Sequence, residues 1–266
     1  MNQDESKETQ PDKEPLPALQ GRGELAAAPD YIAAEAFLEN LGYFTPSSKR
    51  IKGIFTKEKV IGEKVNPDST TRKVKAQIRA SAGLWLPITS DLDYYRAFQK
   101  LCDEVANRDG RFQLPIVVPT TKILRYAGKS ENARCWREVR DWLKRMTFTG
   151  IQGGMYRAKQ KDFQDGFLGT VFSQVIVKGE PMKGGKIAET NYVWPAPWFL
   201  SNYFYHHLRP IDFSFHQRLR KPISKALYPL LETGWYASGG KPYSKSHHDL
   251  CQEFLLTEHR HLSLIK

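Results

Sequence analysis

The sequence predicts an α+β fold made of two similar units in tandem, and three observations predict it. Residues 74–190 read as helix, short strand, helix, tight turn, helix and then a pair of strands. The last helix of that series is sharply two-sided, apolar on one face and basic on the other. Residues 214–266 start the same order again and stop before any strand pair. Helix, strand, helix, turn, helix and a two-stranded wing is the order of a winged-helix domain, a variant of the helix-turn-helix. The expectation is therefore two winged-helix domains, the second truncated, behind a disordered N-terminal tail.

The elements follow in chain order. Residues 1–29 are rich in Glu, Gln, Pro, Asp and Lys, too poor in large apolar side chains to offset their ordering entropy, and are expected to be disordered. Residues 30–73 form a short helix, YIAAEAFLENL, capped by Asp30, and then a basic, turn-rich loop with one hairpin. VKAQIRA alternates apolar and polar residues and opens the first winged-helix domain as a half-buried strand. Ser90 or Asp91 caps a helix whose apolar positions include Leu92, Tyr95, Phe98, Cys102 and Val105. NRDGRF is a turn, LPIVVP a short strand, and Thr120 and Thr121 start a helix that Gly128 closes. Ser130 caps the next helix. TFTGIQGG and GFLGTVFSQVIVKG then supply two wing strands joined by the basic loop MYRAKQKDFQD.

The helix in SENARCWREVRDWLKRM carries the chemistry. At 100° per residue, Cys135, Trp136, Val139, Trp142, Leu143 and Met146 fall within roughly a third of the circumference. Arg134, Arg137, Arg140, Lys144 and Arg145 take the remaining arc. A guanidinium fork matches phosphate or the acceptor edge of guanine, so this face suits a nucleic acid. The plainer alternative is a solvated helix whose Glu131, Glu138 and Asp141 pair with those arginines. The candidate DNA-binding set adds Arg157, Lys159 and Lys161 on the basic wing loop, Lys122, Arg125 and Lys129 around the preceding helix and turn, and Lys245 in the second unit.

Residues 191–213, within YVWPAPWFLSNYFYHHLRPIDFSF, are aromatic and proline-rich and read as a linker packed between the two domains. The second domain spans 214–266. Pro222 suits a first helical position, and Ile223, Ala226, Leu227, Leu230 and Leu231 make an apolar stripe that Gly234 ends, with a bend expected at Pro229. WYASGGKPYS follows as a strand or extended loop. Ser246 caps HHDLCQEFL and Thr257 caps EHRHLSLIK, where the chain stops without a wing.

Composition bounds the partners. The formal net charge of +11 over 266 residues favours a polyanion, with nucleic acid ahead of an anionic membrane surface, and a basic enzyme as the plain alternative. The three cysteines are far apart with no Cys-x-x-Cys, which argues against a disulfide framework or zinc ribbon and for reduced thiols. No signal-peptide-like stretch and no run of 18 apolar residues occurs, so a cytoplasmic protein with no membrane span is expected.

From about Leu86 to Lys266, roughly two thirds of the chain, the sequence resembles the plasmid replication initiator protein A family. The matching phrases are LPITSDLDYYRAF, SENARCWREVRDWLKRMTFTGI, FSQVIVKG and FHQRLRKPISKALYPLLETGWY. The resemblance implies a non-enzymatic initiator without cofactor that binds repeated double-stranded sites at a plasmid or mobile-element origin. It also implies help in opening the duplex and recruitment of host replication proteins, a host initiator and helicase among them. Such initiators exchange between monomer and homodimer, and many repress their own promoter. The first reading helix would carry Arg134, Arg137, Arg140 and Lys144, and the second His259, Arg260 and Lys266.

Rival readings need other residues. A transcription repressor uses the same fold and face. A metal-dependent rolling-circle nickase or relaxase needs a His-x-His pair on one face; His259-Arg260-His261 is the only such triplet, and on a helix its imidazoles point about 200° apart. Zinc at His247, His248 and Cys251 lacks a second ligand pair. GGMYR and KGEPMKGGK lack the spacing of a phosphate-cradling loop and read as wing or hairpin loops. Asp91, Asp93, Asp103 and Glu104 read as a cap and a solvated helix face rather than a catalytic pair.

Overall fold

The computed structural model describes residues 30–66, 68–81, 83–109, 113–237, 239, 241 and 244–254. The expected disordered tail and the helix after Thr257 lie outside these residues. The chain opens with β1 (Tyr31–Glu35) and α1 (Ala36–Leu41), then the strands β2 (Thr56–Val65) and β3 (Thr71–Arg79). Next come α2 (Thr89–Asp109), β4 (Ile116–Val118), α3 (Thr120–Tyr126) and α4 (Ala133–Phe148). The strands β5 (Gly150–Arg157), β6 (Asp162–Gly169), β7 (Phe172–Ile176) and β8 (Asn191–Pro195) follow. The chain continues through α5 (Pro197–Phe204), β9 (Leu208–Asp212), α6 (Phe213–Arg218), α7 (Pro222–Ala237) and α8 (His247–Phe254).

The first winged helix is α2, β4, α3, α4, β7 and β8, with the three strands paired in the order β4-β8-β7. Trp142 of α4 fills its centre. The indole is fully buried and meets the rings of Tyr94, Phe98 and Phe172 at 5.7–6.3 Å between centroids. Val139, Leu143 and Met146 are buried beside it, as the apolar stripe requires. The helices α7 and α8 follow, and Ser246 caps α8 by accepting from the Asp249 N–H at 3.0 Å.

Several local readings change. The stretch expected to be one helix from Tyr31 begins as β1, because those residues pair antiparallel with β9, some 177 positions later in register Ile32–Ile211 to Glu35–Leu208. The helix is capped by Glu35 rather than Asp30: its carboxylate accepts from the N–H groups of Phe37 and Leu38. VKAQIRA is the second strand of the hairpin begun in the basic segment, and β2-β3-β5-β6 form a separate four-stranded antiparallel sheet. That sheet curls until its edges meet. Lys64 of β2 donates to Asp162 and to the Phe163 carbonyl of β6, and the Phe163 ring sits over Gly62, where a Cβ would lie 2.4 Å from it. Gly153, at φ +111, makes the bulge in β5; a Cβ there would meet the Lys75 carbonyl oxygen at 2.6 Å.

The wing is therefore reassigned. TFTGIQGG and GFLG belong to the curled sheet, while β7 and β8 make the wing of the helical unit. The aromatic stretch supplies β8, α5 and β9. The helix expected to stop at Gly234 continues to Ala237, with Pro229 inside it and buried.

Buried ion pairs lock the helices. Asp91, completely buried at the start of α2, accepts from Arg145 Nε and Nη2 of α4 at 3.0 and 2.6 Å, from both Nη atoms of Arg50, and from the Ile88 N–H at 2.9 Å. Asp93 joins α2 to the second half of the chain through Lys225 of α7 and the His216 ring of α6, 3.5 Å away. Burial opposes ionisation of Asp93, but those two partners outweigh it and hold the carboxyl below its usual range. Arg96, fully buried, pairs with Glu39 of α1 at 2.7 Å.

Two outcomes follow from these buried carboxylates. Asp91→Ala leaves two guanidinium groups facing an empty, dry site and is expected to cost about 3–5 kcal/mol, read from urea unfolding against wild type. Burial pushes the Glu35 carboxyl from 4.5 up to about 7, against the hydrogen bonds from Leu38, Phe37 and Asn202. Below pH 4.5 folded and unfolded chains are both protonated there. Between 4.5 and about 7 the folded state keeps a proton the unfolded state has lost, so stability falls as pH rises through that window. The loss is on the order of 3 kcal/mol, and Glu35→Gln is expected to flatten that part of the pH–stability profile.

Candidate nucleic-acid interface

The turn before α4 sets the interface. Gly128 takes φ +63, and the N–H groups of Lys129 and Gly128 close α3 on the carbonyls of Leu124 (2.8 Å) and Arg125 (3.1 Å). The cap of α4 is Asn132, two residues beyond the expected Ser130. Its Oδ1 accepts from the Cys135 N–H at 2.9 Å, and its amide donates to Ser130 Oγ at 2.7 Å. Ser130 thus orients the cap.

With the apolar side of α4 in the core, Arg134, Arg137, Arg140 and Lys144 are all exposed. Arg134 pairs with Glu138 one turn on, at 3.0 Å, and its side chain is 83% exposed, so solvent screens that pair and leaves the guanidinium available. Arg137 and Lys144 make no ion pair among the described residues. Arg145 shares the azimuth of Arg134 yet is buried, because at the last turn of α4 that side meets Asp91 of α2.

The wing adds cations that the candidate set omitted. Arg140 Nη2 donates to the Lys178 carbonyl at 3.3 Å, and Lys178 Nζ sits 5.4 Å from the centroid of the Trp136 ring. A cleft of about 430 Å³ opens between α4 and this strand end, with Trp136 and Val177 as apolar walls and Arg137, Arg140 and Lys178 at its border. Beyond it the wing runs as a narrow loop. Gly179 and Ala188 pair across it, Pro181 bridges Ile187, and Gly184 and Gly185, at φ +85 and +76, make the tip. Lys178, Lys183 and Lys186 are exposed along it. The signal was present in KGEPMKGGK: three lysines and a glycine pair between two alternating strands.

The remaining candidates scatter. Arg157, Lys159 and Lys161 lie at the β5–β6 turn of the curled sheet, where Lys159 Nζ stands 5.8 Å over the Tyr205 ring and the Ala158 N–H donates to Asn202. Lys122 is held by Glu104 at 2.5 Å, which raises its ammonium pKa, and lies over the Tyr126 ring. Lys129 is 4.0 Å from Asp93. Arg125 is exposed on α3, and Lys245 is exposed ahead of α8. His259, Arg260 and Lys266 lie outside the described residues. His247 and Cys251 face each other on α8, Nε2 to Sγ 3.5 Å. Among the described residues no three His, Cys, Asp or Glu side chains are grouped to hold a metal, and no helix is long and apolar enough to cross a membrane.

No protein-family model matches the chain, and no curated protein matches it either. Among solved structures it is similar to the selenomethionine crystal structure of domains 2 and 3 of RctB, with a TM-score of 0.50 and 16% identity over 86% of this chain and 81% of that one. A second crystal structure of RctB domains 2-3, RctB-155-483, matches with a TM-score of 0.44 and 16% identity over 86% and 79%. The chain thus shares its mixed α+β fold with the former.

If Arg137 meets a guanine, Arg137→Ala is expected to cost about 1–3 kcal/mol of duplex binding and to relax specificity at one base pair. The paired change Lys183→Ala and Lys186→Ala is expected to weaken all sequences alike and to lower the salt slope by about 2. Anisotropy titrations across a salt series read both.

Proposed function

We propose that this chain is a non-enzymatic, sequence-specific double-stranded DNA-binding protein that initiates replication of a plasmid or integrated mobile element in the cytoplasm. The observation that carries the reading is the exposed cationic face of α4 continuing onto the lysine-bearing β7–β8 wing. Support comes also from the fold, which is similar to that of domains 2 and 3 of RctB.

The mechanism begins with capture. Lysines and arginines displace counterions from the phosphates, a sequence-independent attraction that falls steeply with salt. The α4 arc then enters the major groove, where Arg137 and Arg140 reach base edges and Arg134 and Lys144 reach phosphates. The wing tip, with Lys183 and Lys186, lies along the flanking minor groove. Repeated origin sites gather several copies, which exchange between monomer and homodimer and recruit the host initiator and helicase to the opened duplex.

The experiment is fluorescence anisotropy of the full chain on origin-proximal repeats and on scrambled duplex across a salt series, joined to a replication assay of an origin-only plasmid supplied with the protein in trans. Repeat binding about 10³-fold tighter than scrambled binding, with plasmid maintenance that Arg137→Ala abolishes, is the expected result. Tight repeat binding without maintenance makes the protein a repressor instead, and equal, salt-labile binding to both duplexes overturns sequence recognition.

A further inference from the structure

A second surface joins a stacked pair of aromatic rings, exposed Phe55 and half-buried Trp85, to a mostly cationic border. Phe55, just before β2, and Trp85, in the loop between β3 and α2, stack with centroids 5.0 Å apart and planes 17° from parallel. Phe55 and its neighbour Ile54 are exposed, and neither Phe55 nor Trp85 joins the core, although Leu86 and Ile88 beyond them are buried. Trp85 holds φ +57, a left-handed conformation that bulky L-residues seldom adopt, so the indole is kept on this surface against the local backbone preference. The Ala80 N–H donates to the Phe55 carbonyl at 2.8 Å, and Ser81 Oγ donates to the carbonyl of Phe148, the exposed last residue of α4, at 2.7 Å. The stack therefore sits by the C-terminal end of α4.

The charge around it is one-sided. Lys49 and Lys52 lead into Phe55, and Arg79 is in register with Thr56 beside it; all three are exposed, and none has an ion pair among the described residues. No Asp or Glu occurs between Glu39 and Glu58, or between Asp68 and Asp91, and Asp91 itself is buried between Arg50 and Arg145.

We infer that the Phe55–Trp85 stack is a platform for unpaired bases of single-stranded nucleic acid, with Lys49, Lys52 and Arg79 on its phosphates. Every base has a face that stacks on an aromatic ring, and a cationic border tracks the backbone without regard to sequence. Bases within a duplex are stacked on one another and cannot use the rings, whereas a strand opened beside α4 can. The inference takes its ligand class from the DNA-binding reading but uses none of the residues on the exposed arc of α4. A protein covering the rings would meet a border where Lys49, Lys52 and Arg79 outnumber the exposed Glu58, which is itself paired with Lys75, and this favours a polyanion.

The test titrates the full chain against a labelled oligothymidylate of about 20 nucleotides and a mixed-sequence duplex of equal length. The paired change Phe55→Ala and Trp85→Ala is expected to weaken oligothymidylate binding about tenfold or more and to leave duplex binding as it was, with Trp85→Phe retaining most of the affinity. Lys52→Ala with Arg79→Ala, two exposed positions whose loss does not touch the core, is expected to lower the single-strand salt slope by about 1.4. Arg137→Ala should weaken the duplex alone. Oligothymidylate binding unchanged in both paired variants overturns the platform, as does equal loss on both ligands. A changed sedimentation coefficient of the aromatic variant with unchanged oligothymidylate binding assigns the rings to a second copy and overturns it too. If Arg137→Ala leaves duplex binding intact while the aromatic variant still loses the oligothymidylate, the duplex face is misassigned and the platform stands.

Discussion

The fold turns on one buried carboxylate. Asp91 has no exposed surface and stands between two guanidinium groups, Arg145 from the last turn of α4 and Arg50 from the segment before β2. An isolated charge so placed would cost several kcal/mol; here it accepts five hydrogen bonds, including the Ile88 N–H that begins α2. The reward is geometric. The start of α2, the end of α4 and the approach to the curled sheet cannot shift independently without baring a charge, so the exposed arc of α4 is presented at a fixed angle. A well-packed apolar triad of equal volume could hold the same helices with equal stability, but it would not specify their register so tightly.

Asp93, two residues on, repeats the device toward the second half of the chain. Lys225 and His216 converge on it from α7 and α6, and burial lowers the pKa of His216 despite the carboxylate nearby, because the Arg96 charge adds to the desolvation. The side of α2 that carries Arg96 and Gln99 is polar for its depth: Arg96, Gln99, Tyr95 and Glu39 each leave a buried polar atom without a hydrogen-bond partner among the described residues. The inside of the winged helix around Trp142 is aromatic and aliphatic by contrast. Cohesion within the winged helix comes from apolar area, and buried ion pairs join it to α6 and α7 beside the Tyr126–Phe213 ring contact.

What could be read from the chain follows the range over which each signal acts. The order α2, β4, α3, turn, α4 was legible because each part is decided locally, by 3.6-residue periodicity, a short apolar run and a glycine at positive φ. The apolar stripe of α4 likewise placed Val139, Trp142, Leu143 and Met146 inside. Arg145 was misplaced because periodicity gives an azimuth and not what covers that azimuth at a given turn; only the partner from α2 buries it. The wing was misassigned for the same kind of reason. TFTGIQGG and GFLG do form a hairpin, but the partner that captures it, β3, is more than 70 residues upstream in register Ala76–Gly153. Nor could alternation in YIAAE compete with helix propensity on paper, since the strand exists only through β9. The basic face of α4 was legible; KGEPMKGGK read as a wing or hairpin loop, but which loop forms the wing of the helical unit depends on β8 pairing with both β4 and β7, so Lys178, Lys183 and Lys186 stayed outside the candidate set.

Net charge alone does not make a nucleic-acid surface; its distribution does. The cations split into those consumed by structure and those left to solvent. Arg50, Arg96, Arg145 and Lys225 are spent on buried carboxylates, and Lys64 of β2 and Arg72 of β3 pair with Asp162 and Asp165 of β6. Among those left to solvent are the cations on the outward arc of α4, along the β7–β8 wing, and around Phe55 and Trp85. A polyanion approaching the chain meets a field already sorted by folding, and the first contact is steered to the elements whose geometry the buried pairs hold fixed.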